Sequence, residues 1–407
     1  MQSQLDSPEA WRITFAALVI LAIAFGSPHI VNVALKQIAE ELGGQRSIPS
    51  AANALAWLGT GFGGIAMGLI ADRIGIRWTV MFGAAMVAGG LALSSSGQAW
   101  HLYVGHGLLI GLLGNAGINA PLYVYVTRWF ERRRGTAVAL IASGQYVAGA
   151  IWPPAFERVI ASIGWRQTML YFGLLVAATV IPLAAAFLKS PPMTPDAQAA
   201  STRGGAAGRV AGLSSGSVFT ALSIASFLCC VPMAMPQAHL IAFCGDLGIA
   251  ASRGAMMLST LLIFAFLSRQ FWGWLSDRIG GLATLVTCSA TQAITVSGFL
   301  FTQDEAGLFL VAAAFGLGFS GLIPAYIITA RQLFPASEAS WRMPALLLTG
   351  TGGMAFGGWS AGAIYDSFGS YQPAFATGLA ANILNLVILA TLLMFAMRHA
   401  RTQPARV

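Results

Sequence analysis

The chain has 407 residues, of which 57% are hydrophobic and only 9% are charged, and its formal net charge is +8. Because a soluble domain carries about a quarter charged residues, this composition excludes an ordinary soluble protein of this size. A positive excess is typical of the loops of membrane proteins, so we do not expect a nucleic-acid partner.

Apolar runs of about twenty residues recur along the chain, and each is long enough to cross a bilayer. The 47 glycines favour closely packed membrane helices, whereas barrel strands would alternate polar and apolar residues. We therefore predict an all-α membrane protein with twelve transmembrane helices, numbered here as spans 1 to 12. The predicted spans are 12–36, 51–71, 78–96, 102–127, 135–157, 167–188, 217–243, 254–276, 281–301, 306–330, 343–365 and 371–396.

Most loops between these spans are short, and the exception is the segment 189–216. It is rich in Pro, Gly, Ser and Ala and has no apolar periodicity, which is typical of a flexible linker. The sequence thus predicts an N-terminal six-helix bundle over 1–188, a cytoplasmic linker over 189–216 and a C-terminal six-helix bundle over 217–407.

The basic residues predict the orientation in the membrane. If both termini and the linker are cytoplasmic, sixteen of the 22 Lys and Arg residues lie in cytoplasmic segments. The opposite side then holds Lys36, Arg46, Arg158, Arg166 and Arg253. This bias agrees with the positive-inside rule and predicts a multi-pass protein of the inner membrane with both termini in the cytoplasm.

A motif of the form G-x-x-x-D-R-x-G occurs twice, at the ends of spans 2 and 8, and the copies are 205 residues apart. The repeat predicts a duplicated six-helix unit. The glycines allow close helix approach, and the charged residues can bond to neighbouring helix ends and to the other half, so we expect a gate. The alternative is that each Asp-Arg pair only anchors a helix at the lipid headgroups. The predicted gating residues are Gly68, Asp72, Arg73, Arg128, Gly273, Asp277 and Arg278.

These two segments resemble the hallmark loop motif of the major facilitator superfamily. The resemblance implies two pseudo-symmetric six-helix bundles around a central cavity and a rocker-switch cycle. The first copy ends with Arg77, whereas the second copy has lost the trailing basic residues. We therefore expect the second gate to depend less on charge.

A narrower resemblance follows span 4, where the segment 128–137 reads RWFERRRGTA and is followed by Ser143-Gly144. It is similar to the signature of the monocarboxylate transporters, which the bacterial oxalate–formate exchangers share, and an arginine in span 8 is typical of these families. Two features depart from the pattern. The acid-glycine-aromatic motif of animal members is absent from span 1, and Ala265 stands where an acid often precedes the span-8 arginine.

Arg269 is the one basic residue that lies neither in a loop nor at the end of a span. It lies eight residues before Asp277, about 12 Å along the helix axis, and a central arginine costs roughly 2.5–3.5 kcal/mol in a membrane. All fourteen acids lie in loops or at helix ends, so we predict that Arg269 binds the carboxylate of a substrate. The alternative is a structural arginine bonded to backbone carbonyls.

Further polar residues are candidates for substrate binding. Asn119 and Tyr123 share one face of span 4 with Asn115, although that face could instead bond to span 2. Tyr326 follows Pro324 in span 10, where a packing role is the alternative. The remaining candidates are Gln145 in span 5, which is costly to leave unpaired, and His29 in span 1, which could carry a proton or simply pack as a neutral ring.

We therefore expect a secondary active transporter for a small monocarboxylate such as a lactate- or pyruvate-like acid, with proton symport. A single central cation favours a monoanion over a dianion. The alternatives are an anion exchanger of the oxalate–formate type, a drug or antibiotic exporter, or a non-transporting receptor. Neither a P-loop, a redox metal cluster nor a nucleophilic triad is evident, so we expect no enzyme, no cofactor and no metal. The expected partners are the organic anion, protons and the lipid bilayer, and we expect a functional monomer.

Overall fold

The computed structural model describes residues 5–189 and 213–402. Within these ranges the regular structure is helical. The N-terminal half contains the helices Pro8–Ala24, Ser27–Val33, Leu35–Glu41, Ser47–Ile74, Ile76–Ser94, Ala99–Tyr103, Ala116–Thr127, Arg134–Ala142 and Gly144–Phe187, and the π-helix Val104–Asn115. The C-terminal half contains the helices Ser215–Asp246, Ala251–Ile279, Gly281–Phe301, Glu305–Phe319, Leu322–Leu333, Ala336–Phe368 and Gln372–Thr402.

These helices group into the twelve predicted spans. Ten helical segments of the described residues are long and apolar enough to cross a membrane, and one of them, Thr136–Phe187, has 52 residues. That segment contains two spans, because Gly164 breaks it with a φ of 80°. The helix Ala336–Phe368, with 33 residues, supplies span 11. The predicted fold class is therefore confirmed.

Each half has its own hydrophobic core. In the N-terminal half, Ile20, Leu91 and Val176 are fully buried in one cluster. In the C-terminal half, Leu261 and Phe315 belong to a second cluster. Two separate cores are what two six-helix bundles require. The predicted domain boundaries stay a prediction, because residues 190–212 of the proposed linker lie outside the described residues.

The most extensive packing between the halves joins span 2 with span 11 and span 5 with span 8. Glycines allow the close approach. A Cβ added to Gly61 would lie 2.6 Å from the Thr351 hydroxyl oxygen, and a Cβ on Gly149 would lie 2.1 Å from Leu262. Small residues at contacts of this kind are typical of packed membrane helices.

The π-helix in span 4 is a local feature that the sequence did not predict. Its glycines allow span 4 to approach spans 2 and 3 closely. A Cβ on Gly111 would lie 2.6 Å from the Ala56 carbonyl oxygen, and a Cβ on Gly114 would lie 2.7 Å from Val87. The segment ends at Asn115, the first residue of the predicted polar face of span 4.

Candidate functional site

The two ends of the molecule differ, and we call them the motif end, which carries Asp72 and Asp277, and the far end, which carries Arg46 and Asp246. At the far end a bidentate ion pair joins the halves. The Arg46 guanidinium donates to both Asp246 carboxylate oxygens, at 2.5 and 2.6 Å. Lys36 donates to the same carboxylate at 3.0 Å. Because Arg46 and Lys36 belong to the N-terminal half and Asp246 to the other, this cluster holds the far end closed.

A second acid extends this closure to span 11. Asp366 accepts hydrogen bonds from the backbone N–H groups of Arg46, at 2.8 Å, and Ser47, at 3.0 Å. These N–H groups belong to the start of span 2, where helix N–H groups lack partners of their own. The Arg46 guanidinium also lies over the Tyr365 ring, 3.6 Å from its centre. Arg46 therefore contacts the C-terminal half through its backbone and its side chain.

His239 continues the contact between the halves beneath these charges. Its Nε2 lies 2.8 Å from the Gly358 carbonyl oxygen, and its Nδ1 lies 2.9 Å from the Tyr371 hydroxyl. Because a carbonyl can only accept, Nε2 carries the proton, and the Tyr371 hydroxyl donates to Nδ1 of the neutral ring. The Ser50 hydroxyl of span 2 lies 3.4 Å from Nε2. This fully buried histidine thus adds a polar contact across the far end.

At the motif end the ion pairs lie within single halves. Arg128 donates to Asp72 at 2.6 Å, and both residues belong to the N-terminal half. Asp72 also borders a cleft of about 590 Å³ that Gly68 and Arg128 line. A Cβ added to Gly68 or to Gly273 would meet nothing within 4 Å. The two glycine faces that we predicted to contact a partner helix are therefore open in this conformation.

The second copy of the motif has different contacts. The Arg278 guanidinium lies over the Trp274 ring of its own helix, 3.9 Å from the ring centre. None of the ion pairs in the two described ranges involves Asp277 or Arg73. The first copy thus has a charge pair, and the second copy has a cation over an aromatic ring.

The N-terminal segment stabilises the loop after span 4 at the motif end. Asp6 accepts hydrogen bonds from the backbone N–H groups of Glu131, Arg132 and Arg133, at 3.1 to 3.2 Å. Burial opposes the charged form of the Asp6 carboxyl, but these three bonds lower its pKa below the usual value. The N-terminal segment therefore stabilises the loop that carries the monocarboxylate-type signature.

Arg269 of span 8 contacts span 5 of the other half. Its Nη1 donates to the Ala142 carbonyl oxygen of span 5 at 3.1 Å, and its guanidinium lies 4.8 Å from the centre of the Tyr146 ring. Tyr146 belongs to span 5 but packs with the hydrophobic core of the C-terminal half. The Nε of Arg269 is buried and has no hydrogen-bond partner among the described residues. One carbonyl bond and one ring leave most of its five donors free.

Polar residues of span 4 lie near this arginine. Tyr123 is close enough to Arg269 to interact with it electrostatically, and so is Tyr146. One turn away, the Asn119 Oδ1 is buried without a hydrogen-bond partner in the described ranges. The Asn115 Oδ1 is in the same condition. The structure thus brings Tyr123 to Arg269 and leaves the two asparagine Oδ1 atoms of that face without a hydrogen-bond partner in the described ranges.

A small polar cavity lies between the halves, further from the motif end than Arg269. Its volume is about 30 Å³. Both predicted residues His29 and Gln145 border it, and the remaining lining residues are Phe25, Pro28, Asn32, Asn53, Trp57, Ala234, Gln237, Ala238, Leu262 and Met354. Spans 1, 2, 5, 7, 8 and 11 therefore all contribute to this cavity. The sequence analysis did not single out Asn32, Asn53 or Gln237.

Tyr326 lies apart from these residues. Its hydroxyl donates to the Asn385 side chain at 3.2 Å, inside the C-terminal bundle. Asn385 in turn donates to the Ser289 hydroxyl at 2.7 Å, and Asn382 donates to the Ser289 carbonyl at 3.0 Å. This arrangement is a buried polar network that connects spans 9, 10 and 12. The structure does not bring Tyr326 together with Arg269.

Comparison with known proteins agrees with this architecture. The family model described as the Major Facilitator Superfamily matches residues 14–243 and 213–407, so the two matches together cover nearly the whole chain. The chain belongs to the Major Facilitator Superfamily. This membership makes it a multi-pass membrane transporter.

Within the superfamily, the chain resembles the monocarboxylate transporters. It is 27% identical to monocarboxylate transporter 13 of Rattus norvegicus over 318 residues, which cover 77% of this chain and 72% of the relative. It is 26% identical to monocarboxylate transporter 11 of Mus musculus, with coverage of 77% and 71%. Against monocarboxylate transporter 13 of Bos taurus the identity is 25%, and the coverage is 95% and 90%.

Solved structures confirm the fold. A bacterial homologue of the human lysosomal transporter Spinster, in an inward-facing and occupied conformation, matches with a TM-score of 0.67 and 16% identity, covering 98% of each chain. The peptide transporter POT in complex with sulfate matches with a TM-score of 0.71 and 16% identity, covering 96% of this chain and 95% of the other. At such identities the likeness concerns the fold alone.

Proposed function

We propose that the protein moves a small monocarboxylate across the inner membrane by alternating access, and that Arg269 binds the substrate carboxylate. The motif end and both chain termini face the cytoplasm in this proposal, in agreement with the bias of the basic residues. The segment 189–216 is the cytoplasmic linker between the bundles 1–188 and 217–407, and each copy of the chain works as a monomer.

The observation that supports the proposal most is that the Arg269 side chain is half-buried and has few protein partners. It is a half-buried guanidinium with one protein hydrogen bond and no ion pair in the described ranges. A structural arginine would bond to several carbonyls, whereas Arg269 bonds to one. A carboxylate could take two parallel N–H donors from this fork, and the surrounding tyrosines exclude water from the pair.

The difference between the two ends supports the alternating-access cycle. In this conformation Arg46, Asp246 and Asp366 join the halves at the far end, while Gly68 and Gly273 are open at the motif end. We interpret the arrangement as the state open to the cytoplasm. In the opposite state the far-end contacts would break, and spans 2 and 8 would close on the other half at their glycines.

The substrate class is inferred from the charge at the site and from the relatives. Arg269 is a single cation, and one cation compensates a monoanion better than a dianion. The relatives quoted above carry the name monocarboxylate transporter. The two arguments are independent, because the first depends on this chain alone.

Proton symport is the proposed mode of coupling, with His29 at the central cavity as the candidate carrier. Anion exchange is the second candidate, because the spans contain no central carboxylate that could bind a proton beside Arg269. The two modes give different results in vesicles. Symport responds to an imposed pH gradient, whereas exchange requires a counter-substrate inside the vesicle.

Uptake into proteoliposomes tests the proposal. We expect saturable uptake of short monocarboxylates by the wild-type protein and a fall of about a hundredfold for Arg269→Ala, because two charge-assisted hydrogen bonds are lost. Arg269→Lys should retain part of the activity, since the charge remains but the fork is lost. The control is Arg253→Ala, which removes an exposed ion pair within the C-terminal half. Full carboxylate uptake by Arg269→Ala would contradict the assignment.

A further inference from the structure

His239 is a buried titratable group at the junction of the halves, and the proposed role of Arg269 does not use it. Its ring nitrogens bond to the Gly358 carbonyl at 2.8 Å and to the Tyr371 hydroxyl at 2.9 Å. Because Nε2 donates and Nδ1 accepts, the ring is neutral in this conformation. Both partners belong to the C-terminal half, as His239 does, so they stay with the ring when the halves separate.

Two residues of the N-terminal half complete the surroundings of the ring. The Ser50 hydroxyl lies 3.4 Å from Nε2 of His239 and donates its own proton to the Arg46 carbonyl at 2.6 Å. Ser50 therefore offers Nε2 only an acceptor. The Arg46 guanidinium is close enough to His239 to interact with it electrostatically. This cation opposes a second positive charge on the ring.

The Tyr371 hydroxyl connects Arg46 with the ring. The Arg46 guanidinium lies 5.2 Å from the centre of the Tyr371 ring and interacts with the Tyr371 hydroxyl. Because a guanidinium has donors only, it faces the phenol oxygen and leaves the hydroxyl proton to Nδ1 of His239. A proton on Nδ1 would then oppose the hydroxyl proton. The closed far end thus favours a neutral His239 through its charge and through its hydrogen bonds.

Opening of the far end would reverse these surroundings. Arg46 and Ser50 would move away with the N-terminal half, and water would reach the ring of His239. Asp366, which interacts electrostatically with His239, would lose its bonds to span 2. Asp246 lies seven residues after His239 on span 7, about 10 Å along the axis, and would lose its bonds to Arg46. A nearby cation would thus be replaced by two carboxylates that lack it.

The other elements around span 7 do not change this balance. Among the described residues, the charged and titratable groups that face the ring are Arg46 of span 2, Asp366 at the end of span 11, Tyr371 of span 12 and Asp246 of span 7. Lys36 of span 1 donates to Asp246, so it belongs to the same cluster. Without Arg46, the Tyr371 hydroxyl could turn its proton away and accept a hydrogen bond from a protonated Nδ1.

From this geometry we infer that His239 is a pH-sensitive switch of the far end, neutral while Arg46 is docked and protonated when the halves separate there. This inference rests on the alternating access of the proposed function. A proton that binds to the open state alone stabilises that state by linkage. Acid on the far side of the membrane therefore favours the conformation that takes up an organic anion from that side. His239 has this role in addition to any proton carried by His29.

Pulsed electron paramagnetic resonance on the full-length protein tests the switch. Spin labels on Ser162→Cys and Gln303→Cys report the opening, because both side chains are exposed at the far end, one in each half. Acidification from about pH 7.5 to about pH 5.5 should raise the ratio of far-end-open to far-end-closed protein about tenfold, since a histidine titrates near 6.5. Carboxylates titrate near 4 and stay ionised over this range.

Two histidine variants assign the response. His239→Gln can donate to Gly358 and accept from Tyr371 but does not titrate, so its distances should be the same at both pH values. The matched control is His106→Gln, because His106 is also fully buried but bonds to Ser94 within the N-terminal half. This control should keep the full acid response. An acid response that survives in His239→Gln would contradict the switch.

The outcomes separate this inference from the proposed function. Arg46→Ala should open the far end at both pH values, because the bonds that close it are lost. If Arg46→Ala opens but acid does not open the wild type, the switch is wrong and alternating access stands. If neither change alters the distances, both are wrong. The wild-type comparison decides by itself in case His239→Gln does not fold.

Discussion

The motif end carries more charged residues than the far end, but the two ends also use their charges differently. At the far end, Arg46 and Lys36 of one half bond to Asp246 of the other half. At the motif end, Asp72 and Arg128 bond within one half. Cross-half bonds hold the bundles together, whereas bonds within a half only shape that half.

Whether a charged residue holds the two halves together therefore depends on which half its partner belongs to. The ion pair of Arg46 and Asp246 is largely buried, with side chains 8% and 23% exposed, whereas Asp72 is 56% exposed. An exposed pair contributes about 0–1 kcal/mol, and a bidentate, sheltered pair contributes more. We therefore expect the far-end contacts to determine the equilibrium between the two alternating-access conformations. The motif-end contacts should instead affect the rate of uptake.

Among the changes that test this difference between the ends, the largest effect is expected when the far-end contact is broken. In a Ser50→Cys background, Arg46→Ala should increase the rate of labelling by a water-soluble maleimide about tenfold, because the lost charge-assisted bonds favour the far-end-open state. Ser50 is a suitable reporter, since it lies in the contact between spans 2 and 11. The four native cysteines are buried and should give little background.

The matched control for this experiment is Arg253→Ala at the same end. Arg253 pairs with Glu305, and both belong to the C-terminal half. Its loss should leave the labelling rate unchanged. Equal rates for Arg46→Ala and Arg253→Ala would mean that the far end is not closed by the Arg46 contacts.

An effect of similar size is expected when the open glycine face at the motif end is filled. Gly68→Val should fold normally, since a Cβ there meets nothing within 4 Å. It should slow carboxylate uptake about tenfold, because a branched side chain would keep span 2 from its partner helix in the closed state. Uptake by the variant in proteoliposomes, normalised to the amount of protein, measures this effect.

Gly89→Val serves as the comparison variant, because Gly89 in span 3 also has open space at its Cβ and is not part of the motif. Its uptake should match that of the wild type. If Gly68→Val transports at the wild-type rate, spans 2 and 11 do not close at this glycine.

The smallest effect is expected at the acids of the two motifs. Asp72→Asn should slow uptake about fivefold with little loss of stability, because its pair with Arg128 is exposed. Asp277→Asn should slow uptake less, since Asp277 is in none of the described ion pairs. Initial uptake rates and equilibrium dissociation constants of both variants separate turnover from binding. A weakened dissociation constant in Asp72→Asn would place this residue in the binding site instead of the gate.

The sequence was sufficient for the features that depend on local composition. Apolar run length predicted the twelve spans, and the repeat at Asp72 and Asp277 predicted the two halves. Arg269 stood out because a charge in an apolar run is costly without a partner. Asp72 and Arg128 were both predicted as gating residues because they belong to motifs at loop ends, although their pairing was not predicted.

The features that depend on contacts between the halves could not be predicted. Arg46 and Asp246 are 200 residues apart and looked like ordinary loop charges. Asn32 and Asn53 converge on one cavity only after the bundles pack. Tyr326 is a tyrosine in the middle of an apolar span and so was predicted to bind substrate, but its hydroxyl bonds to Asn385 within its own bundle. Side-chain direction, and not residue type, decides each of these cases.

Equilibrium binding to an Arg269 variant tests the central claim most directly, because it separates recognition from transport. Calorimetric titration should show that the wild-type protein binds hexanoate and does not bind the neutral hexanamide. Arg269→Gln, which keeps the length and polarity but removes the charge, should lose hexanoate binding and retain its thermal unfolding midpoint. If Arg269→Gln binds hexanoate as tightly as the wild type, Arg269 is not the carboxylate site.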